Sequence, residues 1–210
     1  MTKGLYIVIE GQDGTGKSTQ AELLAKYLRE QGREVVSVSE GAKTDSGLAA
    51  TDDINRITHI RDYALEPATN LLLFTAARVE LWNKQIAPAL AAGKVVVQAR
   101  NWWSALAFQH FGQGVPRQEI ENLTRRFLPE RYVSPDKAII LTLDDTERVR
   151  RMSLRDEDIA RDTFDSKKAS FFSKVNHGYG QIARDFNVPI VDANGTIDEI
   201  SQKIIKSILP

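Results

Sequence analysis

Ile9-Glu10-Gly11-Gln12-Asp13-Gly14-Thr15-Gly16-Lys17-Ser18-Thr19-Gln20 decides the reading of this chain. Its segment Gly11 to Ser18 satisfies G-x-x-x-x-G-K-[ST] without a mismatch, a coincidence expected in only about 1% of chains this long at average residue usage. The β-branched run Leu5-Tyr6-Ile7-Val8-Ile9 precedes it, and Ala21, Leu24, Ala25 and Leu28 follow at helical spacing. A strand that turns through glycines into a helix N-terminus is the context in which such a loop cradles phosphate. The glycines let the backbone curl so that its N–H groups point at an anion, Lys17 reaches the β- and γ-phosphates, and the Ser18 hydroxyl can ligate Mg²⁺. Gly11, Gln12, Asp13, Gly14, Thr15, Gly16, Lys17, Ser18 and Thr19 are therefore expected to bind ATP.

Further along, Val35-Val36-Ser37-Val38, Lys94-Val95-Val96-Val97, Ala138-Ile139-Ile140-Leu141 and Val188-Pro189-Ile190-Val191 make five candidate strands in all. Short, continuously apolar runs suit parallel strands covered on both faces. Helical periods lie between them, ending with Ile197, Ile200, Ile204, Ile205 and Ile208. The expected fold is α/β, a P-loop NTPase three-layer sandwich whose five-stranded parallel sheet carries helices on both faces. Gly41 to Thr51 is small and polar and reads as a loop. At 210 residues the chain suits a single domain over 1–210. Its 28 basic and 28 acidic residues cancel, which argues against a nucleic-acid partner, and the absence of Cys excludes disulfides and thiol chemistry. No window is apolar enough to span a membrane and no leader is evident, so a cytoplasmic protein is expected. Asn83-Lys84-Gln85-Ile86 lacks the Asp of a guanine reader, which argues against a GTPase.

Beyond the phosphate loop, Leu71-Leu72-Leu73-Phe74-Thr75-Ala76-Ala77-Arg78, Ile86-Ala87-Pro88-Ala89-Leu90-Ala91-Ala92-Gly93 and Ala99-Arg100-Asn101-Trp102-Trp103-Ser104-Ala105-Leu106-Ala107-Phe108-Gln109 follow in order. Arg151 to Arg155, Asp162-Thr163-Phe164-Asp165, Phe171-Phe172 and Tyr179 come after them. Together these resemble the loop, helix, arginine and lid motifs of the thymidylate kinase family over most of the chain. The resemblance implies ATP- and Mg²⁺-dependent phosphorylation of a nucleoside monophosphate, dTMP first, by a homodimer. It implies that Phe74 stacks on the acceptor base, Arg78 bonds its edge, Arg100 holds the monophosphate, and Phe108 lies under the sugar. Asp13 would touch the acceptor's sugar hydroxyl or position its phosphate. Taken alone, Phe74 in a Leu-rich helix reads as core packing, and only the motif places it in the acceptor site; Ser104, also placed there, reads equally as a helix cap.

Arg148, Arg150, Arg151, Arg155 and Arg161 fall within 14 residues that lead into and cover most of the expected lid over residues 151–162, where cations would surround the transferring phosphoryl group. A solvated helix laced with ion pairs is the alternative. In the family one type carries its catalytic arginine in the phosphate loop and the other in the lid. Gly14 beside Asp13 implies the lid type, with Arg155 and then Arg161 joining Lys17 and Asp13 in catalysis. The family's acid before the acceptor arginine is Ala99 here, which is expected to leave Arg100 without its tether. Such departures admit a kinase retuned for another nucleotide, or a nucleotide-binding or ATPase switch module without transfer activity. For Trp102 and Trp103 the expectation is one indole in the core and one half exposed, with a base or sugar wall as the alternative.

Overall fold

The structure is a computed structural model that describes residues 4–40, 48–58, 65–155 and 166–209. Five parallel strands form one sheet: β1 (Leu5–Gly11), β2 (Val35–Ser39), β3 (Val95–Ala99), β4 (Lys137–Thr142) and β5 (Ile190–Asp192), in the spatial order β2-β3-β1-β4-β5. Register follows from pairs such as Ile9 opposite Ala99 and Ile9 opposite Ile139. β5 starts later than the apolar run suggests. Pro189 has no N–H to donate, and the Val188 N–H is taken by the Ala183 carbonyl at 2.9 Å.

The two-residue period of a strand splits the core in two. Ile7 and Ile9 face one side with Val95, Val97, Ile139 and Leu141. There α1 (Lys17–Glu30) contributes Ala21, Leu24 and Leu28, and the C-terminal helix Ile197–Ile208 contributes Ile200, Ile204 and Ile208. Tyr6, Val8, Val96 and Ile140 face the other side. Each fully buried Ile or Val side chain is worth roughly 1.5–3 kcal/mol, so a one-residue slip of β1 would be prohibitive.

The second face is covered by longer elements. After α2 (Ala49–Thr58) comes α3 (Pro67–Leu81), which runs through a π-helical turn, Trp82–Ile86, into α4 (Ala87–Ala91). The short α5 (Trp103–Ala105) continues as a second π segment, Leu106–Gly112, and α6 (Arg117–Phe127) and α7 (Glu130–Val133) follow. Next are α8 (Asp145–Arg155), α9 (Ser166–Asp185) and the C-terminal α10 (Ile197–Ile208). α2 corrects one expectation: Ala49, Ala50 and Thr51, read as the end of a loop, are helical, and the Asp52 N–H closes a turn on the Leu48 carbonyl at 3.0 Å. Trp102 and Trp103 correct another, because both are buried against Phe186 and neither is half exposed. The Trp102 indole N–H donates to the Val133 carbonyl at 3.0 Å, which fits it to the core.

Candidate active site

β1 delivers the phosphate loop to the C-terminal edge of the sheet, where α/β folds place their ligands. Gly11 has φ +143°, and a Cβ there would lie 2.5 Å from the Leu141 carbonyl oxygen, so only glycine fits. The Thr15 N–H and hydroxyl both bond the Gln12 carbonyl, at 3.3 and 2.7 Å, which tightens the turn. The Lys17 ammonium donates to that carbonyl at 3.0 Å and to Asp13 Oδ1 at 3.4 Å. Burial, helped by repulsion from Arg100, pushes Lys17 down to about 8 against the pull of Asp13. Ser18 and Thr19 stand exposed in the first turn of α1.

Opposite the loop, the chain leaves β3 through a sharp bend. Arg100 has φ +68°, a left-handed conformation that costs a non-glycine residue about 1–2 kcal/mol. Its N–H is held by the Ile9 carbonyl at 3.0 Å. The Arg100 guanidinium pairs through Nη2 with Asp13 Oδ1 and donates from Nη1 to Ser104 Oγ at 3.2 Å. It also lies over the Phe108 ring, 5.3 Å from its centroid. Asp13 keeps 40% of its side-chain surface open. Partial desolvation opposes its charge, yet Arg100 first and Lys17 second hold its carboxyl well below the usual range. The expectation that Ala99 leaves Arg100 untethered is therefore corrected: Asp13 and Ser104 tether it, and Ala99 is buried opposite Ile9 in the apolar cluster on the α1 face of the sheet. Ser104 lies inside α5 and does not cap it.

On α3, Arg78 stands beside Phe74, its guanidinium carbon 5.8 Å from the ring centroid. Both partners of the Arg78–Glu40 pair are buried, with Arg78 Nε donating to Glu40 Oε2 at 2.9 Å. The other oxygen, Glu40 Oε1, accepts from the Tyr132 hydroxyl at 2.9 Å and from Gln98 Nε2 at 3.1 Å. Tyr6 donates in turn to Gln98 Oε1, and Tyr6, Trp82 and Tyr132 pack ring against ring. Desolvation pushes the Glu40 carboxyl up while Arg78 pulls it back, and Arg78 stays protonated beside it. Sequence reasoning missed Gln98, Tyr132 and Tyr6. One signal was available: Gln98 is polar within the apolar run Val95–Ala99, and a buried amide requires partners.

α8 lies across the phosphate loop. Gly14, φ +87°, packs against it so closely that a Cβ would be 3.1 Å from Arg148 Cγ and 3.2 Å from Met152 Cγ. Arg148 is buried, with its guanidinium 4.5 Å from the Phe172 ring centroid. Arg150 and Arg151 each pair with Glu147 at 2.7 Å, so this stretch also carries the ion pairs of the alternative reading. Arg151 Nη2 reaches the Ala193 and Gly195 carbonyls at 3.1 and 3.3 Å. Beside it a cleft of about 360 Å³ opens between Gly14, Gly16, Thr19, Arg151, Gly195 and Thr196. Arg155 ends α8, but its side chain and all of Arg161 lie outside the described residues, as does most of the expected lid.

A parallel sheet in this order, with a phosphate loop after its central strand and an arginine bend facing that loop, defines a P-loop kinase of the nucleoside monophosphate class. The thymidylate kinase family model matches residues 9–204. A thymidylate kinase of Caldicellulosiruptor saccharolyticus is 33% identical over 207 residues, which cover 98% of this chain and 96% of the relative. A probable thymidylate kinase of Thermococcus gammatolerans is 35% identical over 208 residues, covering 96% and 94%. The crystal structure of thymidylate kinase from Ehrlichia chaffeensis superposes with a TM-score of 0.74 at 27% identity and covers 97% of each chain. The chain belongs to the thymidylate kinase family.

Proposed function

We propose that the chain forms one kinase domain that transfers the γ-phosphoryl group of ATP to dTMP, giving ADP and dTDP. The observation that carries this assignment of roles is the Asp13–Arg100 pair, which joins the donor loop to the acceptor side across the gap where transfer would occur. The loop from Gly11 to Thr19 holds the ATP phosphates through backbone N–H groups at the N-terminus of α1, and Lys17 moves from the Gln12 carbonyl onto the β- and γ-phosphates. The base of ATP lies in the cleft between Arg151 and Gly195–Thr196. The guanidinium fork of Arg100 takes the acceptor monophosphate, with Asp13 and Ser104 orienting it. Phe74 and Arg78 present a ring face and a cation to the acceptor base, and Phe108 walls the sugar. Arg155 and Arg161 supply transition-state charge from the lid.

Among the described residues no three acidic, His or Cys side chains gather round a common point. The donor the phosphate loop offers is a hydroxyl, and Mg²⁺ accepts one protein hydroxyl together with phosphate oxygens and waters. Ser18 Oγ, exposed at the start of α1, is the residue that would hold it. When bound, the ion would neutralise charge on the β- and γ-phosphates. A homodimer is proposed on the family resemblance, and sedimentation at monomer mass would remove it. No helix among the described residues is long and apolar enough to cross a membrane, and a cytoplasmic site of action is proposed.

A coupled ADP-release assay over a panel of nucleoside monophosphates tests the reading. dTMP should give the highest kcat/KM, and Lys17→Ala should abolish transfer while the fold persists. ATP turnover indifferent to every monophosphate would favour a switch, and binding without turnover would favour a non-catalytic module.

A further inference from the structure

Glu10 is wholly buried near the end of β1, one residue past the Ile9–Ala99 pair and beside the bend at which the chain leaves β3. Among the described residues its carboxylate meets neutral donors. Oε1 accepts the Asn101 N–H at 2.7 Å, the Ser104 N–H at 3.1 Å and the Ser104 hydroxyl at 3.0 Å. Oε2 accepts the Tyr179 hydroxyl at 3.1 Å, the Ser104 hydroxyl at 2.9 Å and the Gly11 N–H at 3.2 Å. Burying a carboxylate is expensive, and a neutral residue bonded to fewer groups would make a cheaper core.

The placement of these bonds shows what the charge does. Asn101 and Ser104 follow the left-handed bend at Arg100, so Glu10 clamps its downstream side while the Ile9 carbonyl holds the N–H of Arg100 itself. One hydroxyl, Ser104 Oγ, accepts from Arg100 Nη1 and bonds Glu10, which passes the anion's polarity to the guanidinium. Arg100 continues to Asp13, and Asp13 to Lys17. The result is an alternating chain of anion and cation from the core of the sheet to the phosphate loop.

We propose that Glu10 is a positioning residue, acting through Ser104 and the Arg100 bend to hold the acceptor arginine in register with the phosphate loop. This rests on the assignment of Arg100 to the acceptor phosphate. Glu10→Gln keeps the volume and removes the charge. It should raise KM for dTMP roughly ten- to a hundredfold, the worth of one charge-assisted contact, with KM for ATP within about threefold. A double-variant cycle with Arg100→Lys separates positioning from mere loss of stability. If Glu10 works through Arg100, the double variant has a KM for dTMP within about threefold of Arg100→Lys alone. Multiplying effects would overturn the proposal, and so would an unchanged KM in Glu10→Gln beside a raised one in Arg100→Lys. An unchanged KM in Arg100→Lys would instead remove the acceptor assignment, and the proposal with it. Should Glu10→Gln not fold, Ser104→Ala takes its place in the cycle with the same expected direction, and an unchanged KM for dTMP there also overturns the proposal.

Discussion

Replacing Glu40 by Gln removes one charge and almost no volume, yet it should be among the costlier single changes in this protein. Arg78 and Glu40 are 4% and 7% exposed at the side chain, and their 2.9 Å contact is the route by which the buried guanidinium is neutralised. With its single oxygen Gln can still accept from Tyr132 and Gln98, or from Arg78, but not from all three. It cannot answer the positive charge, and its own N–H groups would face donors. Breaking a buried pair from one side costs about 3–5 kcal/mol. For a chain of 150–250 residues each kcal/mol lowers the melting temperature by about 2–4 °C, so a fall of roughly 6–20 °C is expected. Thermal and urea denaturation of the wild type, Glu40→Gln, Arg78→Met and the double variant measure it. Arg78→Met strands Glu40 in the same way, so the double variant should be less unstable than the two single losses added together, by on the order of 0.5–3 kcal/mol. Additive losses, or a melting temperature for Glu40→Gln within about 2 °C of wild type, would refute the view that this pair is held out of water.

Lys17 is the reactive cation of the loop and sits at about 8, so kcat/KM for ATP should be flat below neutrality and fall tenfold per pH unit above about 8. Because the folded-state value lies below that of an unfolded lysine, stability should rise, by up to about 3 kcal/mol, as pH climbs from about 8 towards 10.5; an activity profile flat to pH 10 would contradict the assignment. Gly14→Ala adds a Cβ at φ +87° against Arg148 and Met152. It should cost about 1–2 kcal/mol, seen as a drop of roughly 2–8 °C in melting temperature, and lower kcat through the displaced α8. Arg151→Ala should raise KM for ATP about tenfold and leave KM for dTMP unchanged in steady-state assays, since its guanidinium borders the cleft on the donor side and bonds the Ala193 and Gly195 carbonyls.

Local pattern determined much of this protein. The five apolar runs, the helical stripe after the loop and the loop itself are properties of neighbouring residues, because strand and helix periods and glycine conformations act over a few positions. Even so, Ala49 to Thr51 became helical where small polar composition suggested a loop, and two adjacent indoles both entered the core because Phe186 lay across from them. What tertiary structure alone decided is the polar interior. Glu40 finds Arg78 across 38 positions and Tyr132 across 92, and Glu10 finds Tyr179 across 169. Arg100 finds Asp13 across 87, which replaced the tether that its own neighbour Ala99 does not supply. Periodicity says which face of a strand is buried but carries no information on which strand lies beside it. Only the order β2-β3-β1-β4-β5 brings the ends of β1, β2 and β3 together, and buried charges must take their partners from whatever that order places within reach.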